Sequence, residues 1–140
     1  MKYDDVKWHA GGEFPRELPA ESAATHIGMF LGWMIEQGLV GELLRDDSRE
    51  VLERFRRREL TGRGVLFACC DGKLTNDFLS DEGNRFARAY YETDRYFDDY
   101  ADELADEVPT LYHVEDNWRN YERMKRKIER RYAEWKAGQL

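Results

Sequence analysis

Few groups in this 140-residue chain can do chemistry: three histidines, two adjacent cysteines and a surplus of carboxylates. His9, His26 and His113 lie far apart, with no HxxxH, HExxH or HxH spacing, so no local metal motif exists. The set that can still converge in space is Asp4, Asp5, His9 and His26, because an N-terminal arm can fold back over the first long helix. Two carboxylates and two imidazoles would bind zinc, manganese or iron, or act as an acid–base pair, as in a small metal-dependent hydrolase. The plainer reading makes His26 a packed residue bonded to a nearby backbone group or carboxylate, with Asp4 and Asp5 pinning the arm.

The second chemical feature is a surface. Residues 92–107 hold eight acidic side chains against one basic one, Arg95, with Tyr96, Phe97, Tyr100 and Leu104 at three- and four-residue intervals. That pattern predicts an acidic amphipathic helix. Asp94, Asp98, Asp99, Asp102, Glu103 and Asp106 would imitate a phosphate backbone and steer a cationic partner inward, while exposed Tyr96 and Tyr100 anchor it. The bland alternative is internal: the acidic helix lies beside a basic C-terminal helix, or is simply solvated.

The remaining candidates are weaker. Cys69 and Cys70 lack the two intervening residues of a redox pair and follow the apolar run Val65-Leu66-Phe67-Ala68, which points to burial. Neighbouring cysteines rarely meet disulfide geometry, so a disulfide framework is excluded. Asp71 to Asp77 lacks the ligand periodicity of a calcium loop, and Gly62-Arg63-Gly64 lacks a phosphate-cradling pattern. The seven basic residues between Arg119 and Arg131 could meet RNA beside Trp118 and Tyr121, but a net charge of −7 argues against nucleic acid.

The positioning elements follow from periodicity. Ile27 to Ile35 carries no charge in a chain that is 36% charged, which predicts a central helix over 22–37, buried on all sides and capped by Gly38. Ala24, Gly28 and Gly32 share one face and admit a second backbone. The apolar run is far short of the roughly 18 residues that span a membrane. Residues 1–20 read as an irregular arm anchored by Trp8, Phe14 and Leu18, with Gly11-Gly12, Pro15 and Pro19 interrupting any helix. Further helices are expected after Asp47-Ser48, over 65–70 (where a strand is also possible), after Thr75 or Ser80, over the acidic stretch, and near 115–136. The expectation is an all-α, single-domain protein (1–140) of five to six helices. With no signal peptide at its start, the cytoplasm is the default compartment.

Four stretches resemble a family of small bacterial domains of unknown function. They are Lys2-Tyr3-Asp4-Asp5 with Trp8-His9, Gly11-Gly12 and Phe14-Pro15; Ala24-Thr25-His26-Ile27-Gly28-Met29-Phe30; Phe86-Ala87-Arg88-Ala89-Tyr90-Tyr91; and Leu111-Tyr112-His113-Val114-Glu115-Asp116. The short Ala133-Glu134-Trp135 looks similar too. The resemblance brings no activity or catalytic residue with it. It implies an association with toxin–immunity and secretion-linked genes. The leading expectation is therefore a non-enzymatic protein-binding domain without cofactor, an immunity-type inhibitor that occludes a cationic bacterial toxin. The alternative is the hydrolase built on Asp4, Asp5, His9 and His26.

Overall fold

The computed structural model describes all 140 residues, Met1–Leu140. In chain order the elements are β1 (Lys2–Asp5), α1 (Val6–His9), α2 (Thr25–Gln37), α3 (Glu42–Asp47), α4 (Arg49–Arg56) and α5 (Gly62–Cys69). Then come β2 (Lys73–Thr75), α6 (Asp81–Tyr90), α7 (Arg95–Leu104) and α8 (Trp118–Lys136). The fold is predominantly helical, with eight α-helices where five or six were expected. The additions are the short α1 and α3, each too brief to show a full apolar period.

The apolar run becomes the centre of the molecule. Eleven of the thirteen residues of α2 are buried, including Trp33, Phe30 and Met34. The helix starts at Thr25, after a 3-10 turn over Ala20–Ala24, and stops where Gly38 turns left-handed at φ 73°. The small-residue face does admit a second backbone, that of α5. A Cβ on Gly28 would lie 2.3 Å from the backbone nitrogen of Arg63, and one on Gly62 would lie 2.0 Å from the Gly28 carbonyl oxygen. Gly32 instead makes room for the rings of Phe55 and Tyr121.

Helices α4, α6, α7 and α8 present one apolar face each to this rod. Phe86 and Tyr90 of α6, Tyr96 and Tyr100 of α7, and Tyr121, Met124 and Ile128 of α8 are all buried. Each such side chain removed from water contributes about 1.5–3 kcal/mol. Side-chain caps set several starts: Thr61 accepts from the Gly64 N–H, Ser80 from Gly83 and Asn117 from Asn120. Residues 65–70 are thus helical rather than extended, and Ser80, not Thr75, starts α6. No helix is long and apolar enough to cross a membrane.

The N-terminal arm departs most from expectation. Instead of an irregular segment it opens with β1, which pairs antiparallel with β2. The register slips between Lys2 and Asp4, leaving Asp4 opposite Leu74. Asp5 ends the strand and its carboxylate caps α1 by accepting from the Lys7 N–H. Trp8, expected as an anchor, is 58% exposed, while Phe14 packs on Tyr112.

Candidate active site

The pairing of β1 with β2 and one helical turn carry Asp4 and His9 onto the N-terminal end of α2, where His26 stands on the first turn. The Asp4 carboxylate is buried and accepts from His9 Nε2 at 2.6 Å, His26 Nε2 at 3.3 Å, the Tyr91 hydroxyl at 2.5 Å and the Asp5 N–H at 2.8 Å. The two imidazole rings meet edge to face with centroids 4.6 Å apart. On its other side His9 Nδ1 lies 2.7 Å from the Tyr112 hydroxyl. Phe97 stacks on His9 and meets His26 edge-on. One potential ligand atom from each of Asp4, His9 and His26 falls within a cluster 4.8 Å across.

Charge states follow from these contacts. Burial on its own would raise the Asp4 carboxyl, but hydrogen bonds from His26, His9 and the Tyr91 hydroxyl outweigh it. Asp4 is therefore an anion with a pKa held well below the usual carboxylate range. Burial pushes His26 the other way, below an ordinary histidine, against the pull of Asp4. A carboxylate can only accept, so neutral His26 presents Nε2–H to it and leaves Nδ1, buried and without a partner, as a bare lone pair. Burial also raises the Tyr91 and Tyr112 phenols, with Asp4 adding to both, so each stays a donor.

Asp4 and His9, though not His26, line a pocket of about 250 Å³, with buried Tyr91 and Tyr96 beside them on the floor and exposed Lys2, Trp8, Glu92 and Asp94 at the mouth. Asp5, expected among the ligands, is not part of it. Its carboxylate faces Lys2 at 2.9 Å and the start of α1, because the alternation of a strand turns neighbouring side chains to opposite faces. Tyr91, Tyr112 and Phe97 were missed. Two of them stand inside the stretches quoted above, so the four stretches behind the resemblance all contribute to this one point: Asp4 and His9, His26, Tyr91, Tyr112.

The acidic surface is only partly as expected. Tyr96 and Tyr100 are buried, with Tyr96 donating to the His26 carbonyl, so neither can anchor a partner. Asp99 is buried too, gripped by Arg131 Nε at 2.9 Å and Nη2 at 3.0 Å and by the Tyr90 hydroxyl at 2.6 Å. Glu103 pairs with Lys127. The inner carboxylates of α7 thus meet the basic helix α8, as the internal alternative held. Asp94, Asp98, Asp102 and Asp106 remain exposed. None of these four has an ion-pair partner, and neither has Glu92.

The two cysteines are free thiols, and burial with the neighbouring Cys69 pushes Cys70 up to about 12, which leaves it inert. Tyr121 is in the core and Trp118 lies under the Arg58 guanidinium, so the basic helix offers no stacking platform.

Among known proteins, one family model matches, described as a domain of unknown function (DUF7832), over residues 2–114. No curated protein and no solved structure matches the chain.

Proposed function

The chain belongs to the DUF7832 family, and within it we propose that the Asp4–His9–His26 pocket is the centre of a metal-dependent hydrolase. The observation that carries this reading is the convergence of one carboxylate and two imidazoles, each turning Nε2 to the same carboxylate, with Asp4 and His9 lining a pocket and His26 buried behind them. Three protein ligands with an open fourth position are the pattern of catalytic rather than structural zinc. A divalent ion there would lower the pKa of a bound water to about 7 and supply the nucleophile.

The chain's own residues do the rest. Asp4 brings the negative charge that favours a cation, and the Asp5 N–H and Tyr91 hydroxyl fix its orientation. The Tyr112 hydroxyl holds His9 through Nδ1, so either tautomer of His9 is satisfied. His26 has no such support at Nδ1. Loading the site moves the His26 proton to that nitrogen, and a missing outer partner typically costs about 10–100-fold in affinity. The expected site is therefore weaker than one with both imidazoles supported.

Zinc and manganese titrations of the purified protein, followed by elemental analysis, test this. One equivalent should bind to the wild type and be lost in His9→Gln, a change at a half-buried side chain outside the apolar core. Equal uptake by wild type and His9→Gln removes the reading. A loaded protein that binds metal yet cleaves none of a panel of esters, amides and phosphoesters removes the hydrolase while leaving the metal centre.

A second reading rests on the outer side of α7 and its two ends, where Asp94, Asp98, Asp102 and Asp106 recur at four-residue spacing, exposed. It is an immunity-type binding face for a cationic protein such as a toxin, working by electrostatic steering without tyrosine anchors. Charge reversal of Asp94, Asp98 and Asp102 should slow capture of the partner in a pull-down at low salt. Undiminished association by that variant sinks it.

A further inference from the structure

The mouth of the same pocket says what enters it, an inference that rests on the hydrolase reading above. A volume of about 250 Å³ suits one side chain or a small amine, since drug-sized ligands occupy about 300–1,000 Å³. The rim pairs aromatic faces with carboxylates. Trp8 lines it 58% exposed, and half-buried Phe97, stacked on His9, lines it as well. Glu92 and Asp94 are exposed beside them. Asp94 holds a left-handed backbone, φ 68°, at the start of α7. The one cation at the rim, Lys2, is already committed: its ammonium is 2.9 Å from Asp5 and 5.3 Å from the centre of the Trp8 ring. Trp8 thus already hosts an ammonium on one face.

We infer that the pocket takes a substrate with a cationic end, a primary ammonium or guanidinium. Glu92 and Asp94 hold that charge, and Trp8 and Phe97 flank its aliphatic stem. Aromatic faces and carboxylates together recognise such groups, whereas an anionic end would meet Glu92, Asp94 and Asp4 at once. The reacting carbonyl of the same molecule, an ester or amide, then points to Asp4 and His9, with His26 behind them. Hydrolysis there breaks the bond from the carbonyl carbon to its leaving oxygen or nitrogen: the hydroxyl of water goes to the carbon and its remaining proton to the leaving group.

Calorimetric titration with three blocked amino acids tests this: N-acetyl-lysine methylamide, the norleucine analogue and the glutamate analogue, each with metal-free and with zinc-loaded full-length protein. The lysine derivative should bind about fivefold tighter than norleucine, the size of one or two exposed charge and cation–π contacts. That preference should vanish in Glu92→Gln/Asp94→Asn and in Trp8→Ala, with zinc stoichiometry unchanged. Equal affinity for lysine and norleucine, tighter glutamate binding, or no binding of any of the three overturns the inference. A lysine preference in a protein that takes up no zinc overturns the metal centre alone.

Discussion

At the scale of single residues, Asp4 and His26 make the protein's stability depend on pH in a determined direction. His26 has a folded pKa lowered chiefly by burial. Below about pH 6.5 the unfolded chain gains a proton at this position that the folded chain refuses, so metal-free protein loses stability there as pH falls. The slope is at most about 1.4 kcal/mol per pH unit. Asp4 adds a second loss lower down. Its folded pKa is depressed, so its contribution is complete above about pH 4 and drains away as pH drops further. Urea unfolding of wild type and His26→Gln at a series of pH values checks the first effect. The variant should show a flatter decline between about pH 6.5 and 4, and identical slopes would show that His26 does not titrate this way. Asp4, His9 and His26 were legible from residue type alone, because few other groups could ligate or transfer a proton. Tyr91 and Tyr112 were not. A tyrosine at helical spacing reads as core, and only the fold shows which hydroxyl reaches a carboxylate.

At the scale of elements, the helices were legible and the strand was not. Apolar periodicity and caps such as Ser80 mark helix faces and starts, whereas β1 is four residues long and its pairing with β2 spans some seventy residues. The acidic stretch was read correctly as a helix and incorrectly as to its tyrosines, since periodicity alone does not say which side of a helix faces in. Tyr96 and Tyr100 share the buried side, and the exposed Asp98 and Asp102 share the other. The crossing of α2 and α5 makes the sharpest element-level prediction. At Gly28→Ala the new methyl meets backbone, not a flexible side-chain tip, so one of the two helices must move. The cost should reach about 3 kcal/mol, the upper end for overpacking a core. Thermal unfolding measures it, and a variant as stable as wild type would mean the two helices do not approach this closely.

At the scale of the whole molecule, α8 closes the core although the family match ends at residue 114, before it begins. It buries Tyr121, Met124 and Ile128 and offers Arg131 to the buried Asp99. Arg131→Met should cost about 3 kcal/mol, the low end for stripping a buried charge of its partner, because Arg131 keeps part of its surface in water. A chemical denaturation midpoint that does not move would show that Tyr90 alone satisfies Asp99. Asp4 and Tyr91 are 87 residues apart, and His9 and Tyr112 are 103 apart. Contacts of such long range form late, because loop closure must precede them. Asp4 therefore leaves the ribosome 87 residues before Tyr91, and His9 103 residues before Tyr112, so each waits for its hydroxyl partner. During synthesis the site stays incomplete until Tyr112 has emerged, so a chain cut short before it has no finished centre with which to act.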